Sequence, residues 1–441
     1  MTVAATGGRT WPDGRDGDGA VVCVATDARR PLDRRISRLF VHIALIGAII
    51  LQRFCLYAGG SPFFVAQLVF LAVIVAMLLS GRAVLRPVVL LLLVTFATIA
   101  LVGTVIALND PDARVGISLG SLIVVLLLYT VLVIRPDPRF FDGRSTFVIF
   151  VGYMRVCSVL GIVQYLIQFV GIRVFSFTDT VPLLRPFLAE QMYNYRPWLS
   201  YGSSLMRSNG FFLLEPSIFS QLLVLALLVD VFVRRVWRYA PLYLVAHMLS
   251  YSGTGLLALA LTLPLVALVD VRYSRQIAAF AIALVVLGVI GAVALPDQFG
   301  ALVGRSSELS YSGSSGYARY VAPFQVVSEV WGETRTLIGY GPGALERADF
   351  YIPGSSSALI KLFIDYGILG LVAFVTFLVV ALWRRDVAIL SVYGLVNFQL
   401  GGGFLLFPPF IVIMALLCIW STPEAPAPRS TDPTLDPAPA N

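Results

Sequence analysis

Long apolar runs separated by short polar connections dominate the chain. Several of these runs approach the roughly 20 residues that cross about 30 Å of hydrocarbon as an α-helix: 63–79, 87–108, 117–134, 211–233 and 277–295. Backbone polar groups in lipid must be satisfied within their own segment, so spans of this kind have to be helical. Two further runs, 241–251 and 387–401, are short enough to be half-spans or re-entrant segments. The pattern therefore predicts an all-α, polytopic integral membrane protein of about 12 transmembrane helices.

The two ends of the chain break this pattern. Residues 1–37 are polar and rich in glycine and aspartate, and because they precede the first apolar run they do not resemble a cleaved export signal. Residues 421–441 are rich in proline and of low complexity. We expect both segments to be disordered tails, which leaves 38–420 as one polytopic membrane domain.

The charge distribution gives this domain an orientation. Apolar residues make up 58% of the chain, charged residues 13%, and the formal net charge is +7. Basic residues precede the first span and recur in those short connections that lie on one side of the membrane. They are Arg29, Arg30, Arg34, Arg35, Arg38, Arg82, Arg86, Arg135, Arg139, Arg144, Arg234, Arg235, Arg238, Arg272, Arg275, Arg384 and Arg385. Under the positive-inside rule this asymmetry puts both termini in the cytoplasm. Because topology accounts for these arginines and no basic face interleaved with aromatic residues is visible, nucleic acid is not an expected partner.

Neither cysteines nor histidines indicate a metal centre. The four cysteines show no CxxC spacing, and the two histidines lie in or beside apolar runs. Hydrogen bonding between helices is the expected role of such histidines. We predict no metal and no cofactor.

Two long connections, 171–210 and 296–357, fall on the outer side of this topology. Long connections in a compact domain are usually functional or disordered, and these two are too aromatic for simple linkers. The first interleaves arginines with aromatic residues, among them Arg185, Arg196, Arg207, Tyr195 and Trp198. Guanidinium groups bind phosphate bidentately, whereas aromatic faces pack on sugar rings or lie among lipid headgroups. The connection predicts either a binding surface for a phosphate-linked glycan or an interfacial belt.

The second connection combines an amphipathic segment with a glycine-rich turn. Apolar residues recur at helical spacing between 317 and 331: Val321, Phe324, Val327 and Trp331. This spacing predicts an amphipathic helix docked on the membrane domain, with Arg319 in its first turn. The turn at 337–343 contains Tyr340, and its glycines allow backbone to pass close to a neighbour or a ligand. No Gly-Lys-Ser/Thr follows, so it is not a nucleotide loop.

Charged residues at the start of the span after the first long connection mark a candidate site. Arg207 and Glu215 flank this junction, and ionisable groups at membrane depth are costly unless a partner, an aqueous cavity or a ligand satisfies them. Glu215 either orients an arginine or accepts a proton, or the two residues form a structural pair at the helix end. Arg155 lies inside another span, where it is either a contact for pyrophosphate or an interhelical partner of Asp230.

The order of motifs from Arg207 to Leu371 resembles that of the O-antigen polymerase and ligase family. The span begins with Arg207-Ser-Asn-Gly-Phe-Phe-Leu-Leu-Glu215-Pro, a Ser-Gly-rich turn follows at 250–255, and the second long connection contains an internal arginine and a Gly-x-Gly turn. The closing signature reads Asp365-Tyr-Gly-Ile-Leu-Gly370. Many members carry a histidine just before this signature, where the chain has three serines at 355–357. Serine is a poor base near neutral pH, so the role of that histidine is not carried over.

The resemblance implies a glycosyltransferase-like polysaccharide polymerase in the cytoplasmic (inner) membrane. Such an enzyme acts at the outer face on polyprenyl-pyrophosphate-linked oligosaccharides and needs neither a metal nor a nucleotide sugar. The functional arginines of the family correspond to Arg207 and Arg319. A pyrophosphate leaving group accumulates negative charge, so cations directed at it are the expected main catalytic effect, with Glu215 as the third catalytic candidate. The candidate substrate contacts are Arg155, Arg185, Arg196, Tyr195, Trp198 and Tyr340.

Other functions fit the same residues. A ligase would pass the glycan to a different acceptor, and a flippase would carry a lipid-linked oligosaccharide across the membrane. A structural or assembly protein is a third alternative, but it does not explain why the long connections are rich in arginine and aromatic residues. Transporters commonly show inverted repeats, and no such repeat is visible in the sequence. Large loops on one side favour chemistry at the surface. Expected partners are the lipid-linked oligosaccharide, the lipid bilayer, and a chain-length regulator and flippase of the same pathway.

Overall fold

The computed structural model describes residues 31–58, 61–109, 117–189, 198–199, 204–294, 310, 317, 321–345, 357–400 and 404–422. Most of these residues are helical, in agreement with the predicted fold class. The α-helices are α1 (Pro31–Leu45), α2 (Val65–Leu79), α3 (Pro87–Leu108), α4 (Leu119–Thr130), α5 (Arg144–Leu166), α6 (Pro216–Leu228), α7 (Ala240–Ser250), α8 (Thr254–Val269), α9 (Ser274–Ala294), α10 (Ala322–Val330), α11 (Arg335–Ile338), α12 (Ala358–Leu382), α13 (Ala388–Leu400) and α14 (Pro408–Met414).

Two small antiparallel ladders accompany the helices. Strand β1 (Cys55–Ala58) pairs with β2 (Ser61–Phe64), and β3 (Ala83–Leu85) pairs with β4 (Ile134–Pro136). The sequence analysis predicted no strands. These strands lie in the connections between helices, where backbone N–H and C=O groups need partners that the helices do not supply.

Five helices in the described part of the chain are long and apolar enough to cross a membrane: Pro87–Leu108, Arg144–Val170, Pro216–Val233, Val271–Ile290 and Ala358–Leu382. Shorter apolar helices, of 10–17 residues, accompany them: Val65–Leu79, Leu119–Val133, Thr254–Val269 and Pro408–Trp420. The chain is therefore a helical membrane protein. The count of about 12 spans stays a prediction.

Helix α6 lies at the centre of the bundle. Within its span 89% of the residues are buried, against 33% in α3 and 12% in the helix that includes α9. α6 packs against α5, α7, α8 and α13. Helices α3 and α9 expose rows of large apolar side chains and so form surfaces suited to lipid contact. Since α6 itself is buried, the segment that leads into it enters the protein interior.

Contacts between helix termini define two ends of the bundle. Helices α3 and α12 are antiparallel, since the Arg86 guanidinium before α3 donates to the carbonyl oxygen of Ala381 in the last turn of α12 (2.8 Å). Arg384, just after α12, donates to main chain that follows the C-terminal helix. The N–H of Thr422 donates to the carbonyl of Gly143, just before α5 (3.1 Å). We call this the arginine end, and the opposite end, where α5 ends and α6 and α12 begin, the loop end.

Helix α1 begins earlier than predicted. It starts at Pro31, inside the segment 1–37 that was expected to be a tail. Asp33 accounts for the difference, because its carboxylate pairs with Arg82 before β3 (3.0 Å) and so gives this first turn a tertiary partner. The rest of the two predicted tails, 1–30 and 423–441, lies outside the described residues.

The helix predicted at 317–331 is observed as the shorter helix α10. It buries Val326 and Val330, together with Ala322, whereas Phe324 and Trp331 are each 65% exposed. Residues four apart share one face of a helix, and the two valines join a small apolar cluster with α12. The predicted docking is therefore observed in part: Val327 packs on the same cluster and the Trp331 ring stacks on Phe363 of α12 (6.2 Å between ring centres), whereas Phe324 is not covered.

Candidate active site

The chain between Arg207 and Glu215 forms a turn at the loop end. Gly210 and Phe211 both have a φ of 71°, so the chain turns here before α6 begins. For this reason the helix starts at Pro216 and not at 211, where the apolar run begins. A proline at the first helical position is favourable because its missing N–H would have no partner there.

Two glutamines on α5 hold the first half of this turn. The Gln168 side chain accepts from the N–H of Met206 (2.7 Å) and donates to its carbonyl oxygen (3.0 Å). One helical turn earlier, Gln164 accepts from the N–H of Asn209 (3.1 Å) and from the hydroxyl of Ser208 (3.1 Å). Residue 207 is thus fixed on both sides by buried hydrogen bonds.

A second pair of polar residues holds the other half of the turn. The Gln52 side chain accepts from the N–H of Leu214 (2.8 Å), and Arg53 donates to the carbonyl oxygens of Leu213 (3.2 Å) and Leu214 (3.4 Å). Arg53 is only 1% exposed, and its guanidinium lies 5.2 Å from the ring centre of Phe175. The sequence analysis missed both residues. An arginine directly after an apolar run was the signal that could have found them.

Arg207 and Trp198 belong to two segments that pair with each other. The Arg207 guanidinium is half-buried and donates to the carbonyl oxygen of Leu199 (3.4 Å). Trp198 pairs through an antiparallel bridge with Met206, the neighbour of Arg207, and its ring is exposed. The structure thus places both residues where these two segments meet.

Glu215 is the residue that caps α6. Its carboxylate accepts from the Ser217 hydroxyl (2.7 Å), and its carbonyl oxygen accepts the first helical hydrogen bond, from Phe219 (3.0 Å). A negative charge at a helix N-terminus is favoured by the helix dipole. Arg207 and Glu215 therefore belong to one rigid turn.

The Ser-Gly-rich turn at 250–255 packs against the same region. The N–H of Ser208 donates to the carbonyl of Leu249 (3.0 Å), and the N–H of Gly255 donates to the Ser220 hydroxyl on α6 (3.1 Å). A Cβ at Gly255 would lie 2.6 Å from the Ser220 carbonyl oxygen, so only glycine allows α8 to pack this closely on α6. Two of the motifs that carry the family resemblance are thus in contact.

Tyr340 lies on the glycine-rich turn, which packs on α12. Its N–H donates to the carbonyl of Ile364 (2.9 Å), and the N–H of Gly341 donates to the carbonyl of Asp365 (3.0 Å). Gly339 and Gly367 have φ values of 83° and 67°, and a Cβ on either would overlap backbone of the other segment. The close approach predicted for this turn is confirmed, and its neighbour is the helix α12. The Tyr340 hydroxyl donates to the carboxylate of Glu333.

Arg155 is distant from the Arg207 turn. It is nine residues before Gln164 on α5, which corresponds to about 14 Å along the helix. Its guanidinium donates to both carboxylate oxygens of Asp230 (2.8 and 3.1 Å) and lies 3.5 Å from the ring centre of Tyr239. Arg234 and Tyr243 also donate to Asp230, at 2.5 and 2.8 Å. The interhelical pairing is present, and a contact between Arg155 and pyrophosphate stays a prediction.

The remaining candidates are distributed as follows. Arg185 is exposed in the short helix Pro182–Phe187. Two residues after this helix, the N–H of Ala189 donates to the carbonyl oxygen of Arg53 (2.9 Å). Arg319, Arg196 and Tyr195 lie outside the described residues. Of the three serines at 355–357, Ser357 is described: it begins α12, and its buried hydroxyl has no hydrogen-bond partner. No group of three or more His, Cys, Asp or Glu side chains suited to a metal ion occurs in the described part of the chain.

Comparison with known proteins gives one result over nearly the whole chain. A family model described as WcaD colanic acid polymerase matches residues 40–419. This stretch includes the Arg207 turn, the glycine-rich turn and every helix from α2 to α14. The match confirms the expected resemblance to membrane polysaccharide polymerases. No curated protein and no solved structure matches the chain significantly.

Proposed function

Because the chain belongs to the WcaD colanic acid polymerase family, a family of polysaccharide-polymerising enzymes, we propose that it lengthens a cell-surface polysaccharide by transferring polyprenyl-pyrophosphate-linked oligosaccharides. The reaction would take place at the outer face of the cytoplasmic membrane, without a nucleotide sugar or a metal ion. The apolar helices agree with a membrane location and therefore with a lipid-linked substrate.

One observation carries the proposal at the level of residues. Arg207 and Glu215 lie on a single turn at the loop end, and this turn is held by buried side chains from two other segments, Gln164 and Gln168 on one side and Gln52 and Arg53 on the other. A cation and a carboxylate fixed in this way need little reorganisation when charge develops in a transition state.

The proposed reaction moves one glycosyl group. An acceptor sugar hydroxyl attacks the anomeric carbon of the donor glycan and forms the new carbon–oxygen bond of the glycosidic linkage. The bond from that carbon to the pyrophosphate oxygen breaks, and its electron pair stays on the leaving polyprenyl pyrophosphate. Arg207 and Arg319 donate hydrogen bonds to the pyrophosphate as its charge grows. Glu215 accepts the proton of the acceptor hydroxyl.

The distribution of arginines supports the proposed orientation. Arg86 and Arg384 contact main chain at the arginine end, and Arg144 begins α5 there. Positive residues are retained on the cytoplasmic side of a membrane protein. The loop end, with Arg207 and Glu215, would then face the side on which exported lipid-linked glycans are presented.

An assay with purified protein tests the function. The protein in detergent is supplied with lipid-pyrophosphate-linked repeat units from the native host, and the glycan products are separated on a gel. We expect a ladder of longer glycans, which Arg207→Ala abolishes at equal protein yield. Arg173→Ala, which changes an exposed arginine of the same connection, should keep the ladder.

Two other outcomes would contradict the proposed function, and a third would contradict only the role of Arg207. A single transfer that requires a different acceptor would identify a ligase. Absence of transfer with any native donor would favour a transporter. A normal ladder from Arg207→Ala would leave the polymerase activity intact and remove Arg207 from the reaction.

A further inference from the structure

Two buried amide side chains beneath Glu215 have polar atoms without partners. Asn397 on α13 is 0% exposed, and neither its amide nitrogen nor its amide oxygen makes a hydrogen bond. Gln221 on α6 is 2% exposed, and its side-chain oxygen also has no partner. Buried polar groups in native proteins are nearly always hydrogen-bonded, to protein, to water or to a ligand. Unpartnered amide atoms on two neighbouring helices therefore indicate a place for a polar ligand.

Helix geometry brings the two amides to the same level. The Tyr393 hydroxyl on α13 donates to the main-chain carbonyl of Gln221 (2.6 Å), which fixes the register of the two helices. Asn397 follows Tyr393 by four residues, so it lies on the same face of α13, one turn nearer to the loop end. α6 begins at the loop end and α13 ends there, so these helices are antiparallel.

The directions in which the Gln221 and Asn397 side chains extend bring their amide groups closer together. Helical side chains lean toward the N-terminus of their own helix. Gln221 consequently leans toward the loop end, and Asn397 leans toward the arginine end. From these directions we infer that both side chains approach the layer between Tyr393 and the first turn of α6.

This layer lies directly below the candidate active site. Ser217, one turn before Gln221, donates to the Glu215 carboxylate (2.7 Å). Nearby hydroxyl groups are already satisfied by protein: the Ser220 side chain donates to the Ser217 carbonyl (2.9 Å) and accepts from the N–H of Gly255 (3.1 Å). The hydroxyl of Ser220 therefore does not supply the partner that the amide oxygen of Gln221 lacks.

We propose that Asn397 and Gln221 form a subsite that hydrogen-bonds the hydroxyl groups of a sugar ring of the bound oligosaccharide, next to Glu215. Neutral amides both donate and accept, as sugar hydroxyls do, whereas phosphate is bound by cations such as Arg207. The subsite rests on the proposed function for its ligand. It separates recognition of the sugar from recognition of the pyrophosphate.

Binding measurements test the subsite independently of turnover. Asn397→Leu and Gln221→Met remove the amides at nearly constant volume. Two probes are titrated against each variant in detergent: the lipid-pyrophosphate-linked repeat unit and polyprenyl pyrophosphate without sugar. We expect each variant to bind the first probe about tenfold or more weakly and the second as tightly as the unmodified protein. The melting temperature should stay the same or rise, because an unpartnered buried amide has been removed.

Gln399→Leu provides the matched control. Its side chain accepts from the N–H of Leu359 at the start of α12 (3.1 Å), so its amide has a structural role. We expect this variant to melt at a lower temperature and, where folded, to bind both probes normally.

Two results would overturn the subsite. Unchanged binding of both probes by Asn397→Leu would mean that the amides hold water only, and equal weakening of both would mean that they do not select the sugar. If Asn397→Leu does not fold, Gln221→Met decides by the same two affinities. A protein that binds the repeat unit through these amides but never lengthens it would retain the subsite and refute the polymerase activity.

Discussion

The Lys361 ammonium group lies 2.8 Å from the Asp365 carboxylate, one helical turn further along α12. The same carboxylate accepts from the N–H group of Gly343 (3.1 Å), at the end of the glycine-rich turn, and from that of Leu345 (3.2 Å), two residues later. Asp365 is 1% exposed, and its charge is thus compensated on two sides. The aspartate of the closing signature fastens the glycine-rich turn to α12 and so gives the second long connection a fixed base.

Replacing Asp365 by alanine should destabilise the protein strongly. The change leaves the buried Lys361 ammonium without this carboxylate and two main-chain N–H groups without their acceptor. Breaking a buried pair by removing one partner costs about 3–5 kcal/mol. Unfolding by denaturant in detergent measures the loss. Asp386→Ala, which removes the exposed carboxylate that pairs with the partly exposed Arg384, should change the stability much less.

Removing the second charge separates the two contributions. Adding Lys361→Met to Asp365→Ala eliminates the uncompensated ammonium, so the double variant should regain part of the lost stability. An Asp365→Ala protein as stable as the unmodified one would show that the carboxylate does not hold the turn.

Glu215→Gln should separate catalysis from folding. An amide oxygen can still accept from the Ser217 hydroxyl, so we expect α6 to begin normally. The melting temperature should fall only slightly, because the lost interaction of the charge with the helix dipole is worth about 0.3–1 kcal/mol. A general base in this position typically contributes 10²–10⁴-fold to a rate, and we expect a loss of about that size in glycan lengthening. Glu329→Gln, an exposed change on α10, should retain the full rate.

A normal rate from Glu215→Gln would exclude the carboxylate as the proton acceptor. A lower rate accompanied by a much lower melting temperature would indicate that Glu215 acts through the start of α6 instead. The two measurements together therefore distinguish the catalytic role from the structural one.

Helix positions were predictable where the signal is local. The run 87–108 coincides with α3, because a proline at its start and a continuous apolar stretch define both ends. The same reasoning placed the start of the span 211–233 at residue 211, although α6 begins at Pro216. The turn from Gly210 to Glu215 is itself apolar, so hydropathy does not distinguish it from the helix that follows.

The candidate site was predictable only in part. Arg207 and Glu215 were visible because charges next to an apolar span are costly. The hydrogen bonds of Gln52 and Arg53 to Leu213 and Leu214 join residues about 160 positions apart, and no local pattern reports such a contact. The burial of Val326 and Val330 in place of Phe324 was missed for a related reason, since contact with α12, and not the size of the side chains, selects which residues of α10 are covered.

Arg155→Met should affect stability more than ligand binding. The substitution removes one of three donors to Asp230, while Arg234 and Tyr243 still bind the carboxylate. A hydrogen bond to a charged group contributes about 1.5–3 kcal/mol, and we expect a loss within that range. Asp230→Ala removes the acceptor of all three groups and should cost more, about 3–5 kcal/mol.

Binding of polyprenyl pyrophosphate distinguishes the two readings of Arg155. We expect Arg155→Met to bind this ligand normally, whereas unchanged stability with lost binding would make Arg155 a substrate contact. Exchanging the charges of residues 155 and 230 is a weaker test, because an arginine at 230 would face Arg234.

Gln168→Leu should impair the reaction by loosening the Arg207 turn. Gln168 does not carry the proposed chemistry, but it makes two hydrogen bonds to the main chain of Met206, next to the arginine. Their loss leaves buried main-chain groups unpaired, at about 1–3 kcal/mol for each group. A displaced guanidinium stabilises the leaving pyrophosphate less well, so kcat for lengthening should fall more than the affinity for the lipid-linked repeat unit. Gln325→Leu, an exposed glutamine on α10, should leave both unchanged. If kcat and affinity of Gln168→Leu stay normal while its stability falls, the glutamine supports only the fold, and the position of Arg207 does not depend on it.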